Sequence, residues 1–183
     1  MRTAAGVLSR KGYHRTTMDD IAESVGVSKG ALYTYFKNKE SLVRGICRAG
    51  PVRLRETLYD SFTGDDLMQS TNKFFDSFLD ETFQNIALNY EILAESSRNP
   101  GIRRILKESY ERGIEVTAEF LERMKRGKSL RGDIDTEALA RGLVAMYDGL
   151  MAGIILGADK KQVKEAWRES MSALLGGLIT KKE

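Results

Sequence analysis

The chain has 183 residues, 30% charged and 42% aliphatic or aromatic, enough apolar material for a buried core and the composition of neither a disordered tail nor a membrane protein. Its single cysteine, Cys47, excludes an internal disulfide, and its single histidine, His14, excludes a clustered His/Cys metal site. The net charge of +3 hides an asymmetry: Lys and Arg outnumber Asp and Glu by 11 to 4 over residues 1–55, whereas residues 56–183 hold 18 against 22, so the first part is expected to meet a polyanion.

Two prolines, many strong helix formers and few β-branched runs predict a nearly all-helical chain of about nine helices. The opening residues enter a helix-like pattern without an apolar leader, so a cytoplasmic protein is expected. Helix punctuation divides the first fifty residues into four short helices. The first runs from about Arg2 to Arg10 and ends at Lys11-Gly12, where glycine supplies a left-handed conformation. Thr17 has the position of an N-cap, with Asp20 placed to complete a capping box. The second helix covers Met18 to about Ser24, with Ile21, Ala22 and Val25 on its buried side, and Gly26 makes the turn.

Ser28 caps a third helix that reaches about Phe36, with Leu32 and Phe36 facing inward. A fourth begins near Lys39 and either passes Gly50-Pro51 with a kink or stops there, because proline removes a backbone donor. The domain boundary is placed at this point, with residues 1–48 as a small basic domain and 49–183 as a larger helical one. Further helices are predicted at about Arg53–Phe62, Asp65–Gln84, Ala87–Ser97, Pro100–Arg126, Thr136–Gly157 and Lys160–Thr180.

Lys125, Arg126, Lys128 and Arg131, between Met124 and Asp133, are read as a solvated loop rather than a second anion-binding patch. Leu143–Ala158 is apolar except for Asp148. It is shorter than the roughly 20 residues that span a bilayer, and is read as a buried helix.

Two short helices joined by a glycine turn, Met18–Phe36, match a helix-turn-helix, whose second helix enters the major groove. That helix presents Ser28, Lys29, Gly30, Ala31, Thr34 and Tyr35 outward. Lys29 is suited to guanine, Thr34 to several base edges and the Ala31 methyl to thymine, while Gly30 admits close backbone approach. Core packing is the plainer but less favoured reading of Tyr33 and Tyr35. His14, in the loop before the second helix, lacks a paired nucleophile and is read as a surface or phosphate-adjacent residue.

The run Gly12-Tyr13, Thr16-Thr17-Met18, Asp20-Ile21-Ala22, Gly26-Val27-Ser28, Leu32-Tyr33, Tyr35-Phe36 and Lys39-Glu40-Ser41-Leu42 resembles the N-terminal signature of the TetR family of repressors. The resemblance covers about the first 45 residues; the rest matches in helix count and length alone. It implies a three-helix helix-turn-helix domain followed by a helical ligand-binding and dimerisation domain. It also implies phosphate contacts from Thr17, Tyr33 and Lys39. Ser9 stands where the family often has a core phenylalanine, which implies a less stable domain.

The family's last two long helices pair with their symmetry mates. Here Leu143, Leu150, Met151 and Ile154 on one helix, and Trp167, Leu174 and Leu178 on the next, are the expected dimer residues, since a helix apolar nearly all round needs cover on both sides. Phe74, Phe75, Phe78, Phe83, Tyr90, Tyr110 and Tyr147 are expected to line a ligand cavity, or equally to be core. Asp148, Glu91 and Glu95 are candidates for reading a cationic ligand, with solvated or capping roles the plainer alternative.

The expected function is a ligand-responsive repressor that binds double-stranded palindromic operator DNA as a homodimer and is released by a small, mostly apolar effector. The alternatives are an effector-independent or activating regulator, or a helical carrier or enzyme. No nucleophile, base and orienter set supports an enzyme. No cofactor, metal or membrane is expected.

Overall fold

The computed structural model describes residues 2–83 and 85–179, apart from the side chains of Arg2, Glu81 and Thr82. Nine helices fill them: α1 (Arg2–Lys11), α2 (Met18–Val25), α3 (Lys29–Tyr35), α4 (Lys39–Ser61), α5 (Leu67–Phe83), α6 (Ile86–Ser96), α7 (Pro100–Arg126), α8 (Thr136–Ile155) and α9 (Lys160–Leu178). The all-α expectation holds. Among the described residues the only β-type pairing is an isolated bridge between Leu130 and Ile179. The predicted helix ends at Gln84 and Thr180 fall outside the described residues.

Packing divides the chain into two compact units, Met1–Val52 with Glu81–Tyr110, and Arg53–Asp80 with Glu111–Glu183. The units are therefore interleaved in sequence, whereas the expected boundary after residue 48 separates two consecutive pieces. The core of the first unit explains the difference. It joins Ala4, Val7 and Leu8 of α1, Tyr13, Met18, Ile21 and Ala22, Leu32 of α3, and Leu42 and Val43 of α4 to Leu88 and Ile92 of α6 and Ile102 and Ile105 of α7. A domain of about fifty residues has only a marginal core of its own, and here α6 and α7 enlarge it. Val25, expected inside, is 41% exposed.

The helix that begins at Lys39 does not stop at Gly50-Pro51 but continues to Ser61. Pro51 has no N–H to give to the carbonyl four residues back, that of Cys47. The Ser109 hydroxyl donates to that carbonyl instead, at 3.0 Å. Burial pushes the Cys47 thiol up to about 11, so it is an inert packing group.

In the second unit, the Trp167 ring stacks on Phe75 with centroids 4.5 Å apart, and its Nε1 donates to the Thr71 carbonyl at 3.2 Å. Leu58, Val116 and Phe120 form one further cluster, and Ile114, Leu121, Leu130 and Ala140 another. Helix α9 packs through Val163, Trp167, Met171 and Leu175, one residue per turn. Helix α8 departs from expectation. It buries only Ala140 and Met151 within the chain, so the predicted buried helix is largely uncovered. In the last turn of α7 Lys125 donates to the Ile134 carbonyl, and in the loop that follows Arg131 binds Asp133 and the Gly177 carbonyl, so two of the four cations singled out there are engaged internally.

Candidate nucleic-acid interface

Each end of the helix-turn-helix is set by a local device. The Thr17 hydroxyl accepts the Asp20 N–H at 3.1 Å, and the Asp20 carboxylate accepts the Thr17 N–H at 2.8 Å, closing the capping box at the start of α2. The Lys11 ammonium, 2.7 Å from the same carboxylate, together with the Thr17 donors holds Asp20 down to about 2. Gly26, at φ +76, ends α2 in the left-handed region. Ser28 then caps α3 by accepting the Ala31 N–H at 3.1 Å.

Helix α3 turns Leu32 inward, and Phe36 packs partly buried against the same core. Ser28, Lys29, Gly30, Ala31, Tyr33, Thr34 and Tyr35 are all exposed, Tyr35 at 79%. The plainer reading of Tyr33 and Tyr35 as core is therefore set aside. A Cβ at Gly30 would meet nothing within 4 Å, so this part of the helix surface is open and smooth. Thr34 donates to the Gly30 carbonyl at 3.0 Å.

The two lysines singled out from sequence have partners. Lys29 pairs with Asp19 at 2.8 Å, which raises the lysine pKa through that hydrogen bond. Lys39 is half-buried and donates to the carbonyls of Tyr13, at 2.7 Å, and His14, at 3.3 Å, with its ammonium 4.6 Å from the Tyr13 ring centre. His14 is not free-standing, since its Nε2 lies 3.0 Å from Glu95. Arg10, Lys11, Arg15 and Lys37 add exposed cations to the same unit.

The candidate ligand residues are not gathered in one unit. Phe74, Phe78 and Tyr147 meet in the second: Phe74 stacks on Phe78 at 5.6 Å, and Phe78 lies 5.2 Å from Tyr147. Phe75 and Trp167 complete this aromatic cluster. Phe83, Tyr90 and Tyr110 belong to the first unit, and Phe83 and Tyr110 are exposed. Glu91 and Glu95, candidates for a cationic ligand, are instead engaged with the turn at Gly12–His14. Asp148 lies on the open side of α8, and desolvation by the surrounding protein pushes its carboxyl up to about 6.

The candidate dimer residues also divide. Met151 and Trp167 are buried at 3% and 4% in the core of their own unit, and this removes them from any outward face. Leu143 and Leu178 are half-buried against the Leu121 and Leu130 cluster. Leu150 and Ile154 are half-buried and Leu174 is exposed. The exposed side of α8 carries Gly142, Ala145 and Gly149, and a Cβ added at either glycine would touch nothing.

A capped α2, a glycine turn and a short α3 with an exposed polar face define a helix-turn-helix protein with a larger all-helical partner unit. Family comparison agrees on both parts. Residues 1–46 match the family described as bacterial regulatory proteins, tetR family, and residues 63–181 match the tetracyclin repressor-like C-terminal domain. The chain belongs to the TetR family of DNA-binding transcriptional regulators, whose members are regulators and not enzymes.

It is 26% identical over 180 residues to the HTH-type transcriptional regulator UidR of Escherichia coli strain K12, covering 98% of this chain and 91% of that protein. The solved structure of Salmonella enterica GusR is similar, with TM-score 0.77, 25% identity and coverage of 97% and 92%. A regulator from Saccharomonospora viridis, solved in complex with choline, has the same fold, with TM-score 0.72, 21% identity and coverage of 98% and 95%.

Proposed function

We propose that this protein is a cytoplasmic, ligand-responsive repressor that binds a palindromic operator as a homodimer and releases it when a small, mostly apolar molecule enters the second unit. The observation that carries the reading is the face of α3: Leu32 anchors the helix while Lys29, Gly30, Ala31, Thr34 and Tyr35 stand exposed in a basic unit. Lys29 and Thr34 would read bases. Thr17, Ser28, Tyr33 and Lys39 would position the helix on phosphates.

Dimerisation is supported by α8, which is apolar and long enough to pass for a membrane span by composition yet buries only Ala140 and Met151. An uncovered helix of this apolar composition favours a partner, and its exposed charges Glu137, Arg141 and Asp148 would lie at the edge of or within the contact. Its small residues Gly142, Ala145 and Gly149 permit close helix approach, with Leu150 and Ile154 on the same helix and the exposed Leu174 of α9 as further apolar candidates. Sensing is supported by the Phe74, Phe78 and Tyr147 cluster. The choline bound by the Saccharomonospora viridis regulator supports a small-molecule effector. Helix α4, which begins at Lys39 in the reading unit and ends at Ser61 in the other, is a continuous element through which the effector would act.

The test is a gel shift against the DNA flanking the protein's own gene, followed by titration of thermal-shift hits with and without the bound duplex. A true effector binds the DNA-free form more tightly, by the same factor by which it weakens DNA binding. Equal affinities for every tight binder would remove the sensing half of the proposal, and absence of any preferred duplex would remove the operator half.

A further inference from the structure

Three polar side chains one turn apart, Glu91 and Glu95 in α6 and Asn99 just after it, hold points on both sides of the helix-turn-helix, two in the turn before α2 and one at the start of α4, all within the first unit. Glu91 Oε1 accepts the Tyr13 N–H at 2.7 Å. The same carboxylate lies against Gly12, where φ is +83, a conformation that favours glycine, and where a Cβ would stand a tight 3.2 Å from Oε1. Glu95, whose side chain is 13% exposed, pairs with His14 at 3.0 Å. Asn99 donates to Glu40, in the first turn of α4, at 3.0 Å, while its Oδ1 accepts the N–H groups of Gly101 and Ile102.

The turn so held, Gly12 to Thr16, leads directly into Thr17, the N-cap of α2. Lys39 holds the same turn through the carbonyls of Tyr13 and His14. Leu88 and Ile92 already attach α6 to the core, so the carboxylates are not needed to keep the helix in place. Near a surface that meets phosphates, two carboxylates weaken the attraction. Their presence calls for a compensating role.

We propose that Glu91 is a positioning residue for DNA binding, with Glu95 and Asn99 in support: through it, α6 fixes the turn before α2 and hence the pose of the recognition helix. This rests on DNA binding through α3. The sign of one substitution separates positioning from electrostatics. If Glu91 acted only as a charge, its removal would tighten DNA binding; as a positioning residue, its removal weakens it.

The experiment uses the full chain and a duplex enriched from a random-core pool by the wild-type protein. Glu91→Ala is expected to lose at least about tenfold in affinity with the salt slope unchanged, because no phosphate contact is lost. Glu91→Gln, whose amide oxygen still accepts from Tyr13, is expected to bind at least as tightly as wild type. Amide exchange without DNA gives an independent reading: the peptide covering residues 12–17 should exchange at least about tenfold faster in Glu91→Ala, with α7 peptides unchanged. Glu91→Ala binding as tightly as wild type, or unchanged exchange of that peptide, overturns the proposal. Failure of wild type to enrich any duplex removes the DNA reading of α3, and the exchange comparison still decides whether Glu91 fixes the turn.

Discussion

The hydroxyl of Ser109 lies 3.0 Å from the carbonyl of Cys47, the one carbonyl of α4 that Pro51 deprives of its helical donor. A hydrogen bond from α7 thus replaces one that the sequence of α4 forbids. Ser109→Ala is expected to cost about 1 kcal/mol of stability, the scale of a lost hydrogen bond at a partly buried carbonyl. In a Pro51→Ala background, where residue 51 regains its N–H, the same substitution should cost much less. Urea denaturation of the four proteins in this cycle measures the coupling, and equal costs in both backgrounds would contradict the assignment.

In the proposed role of base reader, Lys29 must leave Asp19, with which it pairs at 2.8 Å. Lys29→Ala is then expected to relax preference at one base pair by about 1–3 kcal/mol, while Asp19→Asn, which frees the cation and removes an opposing charge, should tighten binding to every duplex. Binding of both variants to a set of singly altered duplexes at one salt concentration distinguishes the two effects.

Lys39 has a different signature. Two carbonyls hold its ammonium at the turn before α2, and a remaining N–H is available to a phosphate. Lys39→Ala should weaken all duplexes alike and flatten the log–log salt dependence by roughly one unit. A loss confined to particular sequences would count against a phosphate role.

On α8, adjacent residues should fail in different ways. Leu150→Arg is expected to dissociate the proposed dimer and leave a folded monomer, seen by sedimentation and circular dichroism. Met151→Arg, at a position buried in its own unit, should instead unfold the chain. Trp167→Ala should cost about 3–5 kcal/mol, because it removes a stacked, hydrogen-bonded ring from the core of the unit. A wild-type protein that sediments as a monomer at micromolar concentration would rule out the dimer.

Asp148 predicts a pH dependence of defined sign. Its carboxyl is raised from the usual range near 4 to about 6, so the folded state binds its proton more tightly than the unfolded state. Its contribution to stability is therefore full below about pH 4 and is lost as pH rises through about 6. Asp148→Asn, which cannot ionise, should be more stable than wild type above pH 6, with the difference shrinking towards pH 4 in thermal melts. A gap that grows as pH falls would contradict the assignment.

Much of this protein was legible in the order of its residues, because the devices concerned act over one or two turns. Thr17 with Asp20, Gly26 and Ser28 set the ends of α2 and α3 by local hydrogen bonds and a local φ, so the helix-turn-helix and its exposed face can be placed without tertiary knowledge. What depends on distant partners could not be read. The donor that replaces the one Pro51 lacks comes from Ser109, 62 positions from Cys47, and the partner of Glu91 is Tyr13, 78 positions away. Met151 and Leu150 are adjacent and both apolar, and only the packing of α8 against α9 puts one inside and leaves the other partly open. Periodicity marks an apolar face but not what covers it, because hydrophobic burial has no direction and any apolar surface at the right distance satisfies it.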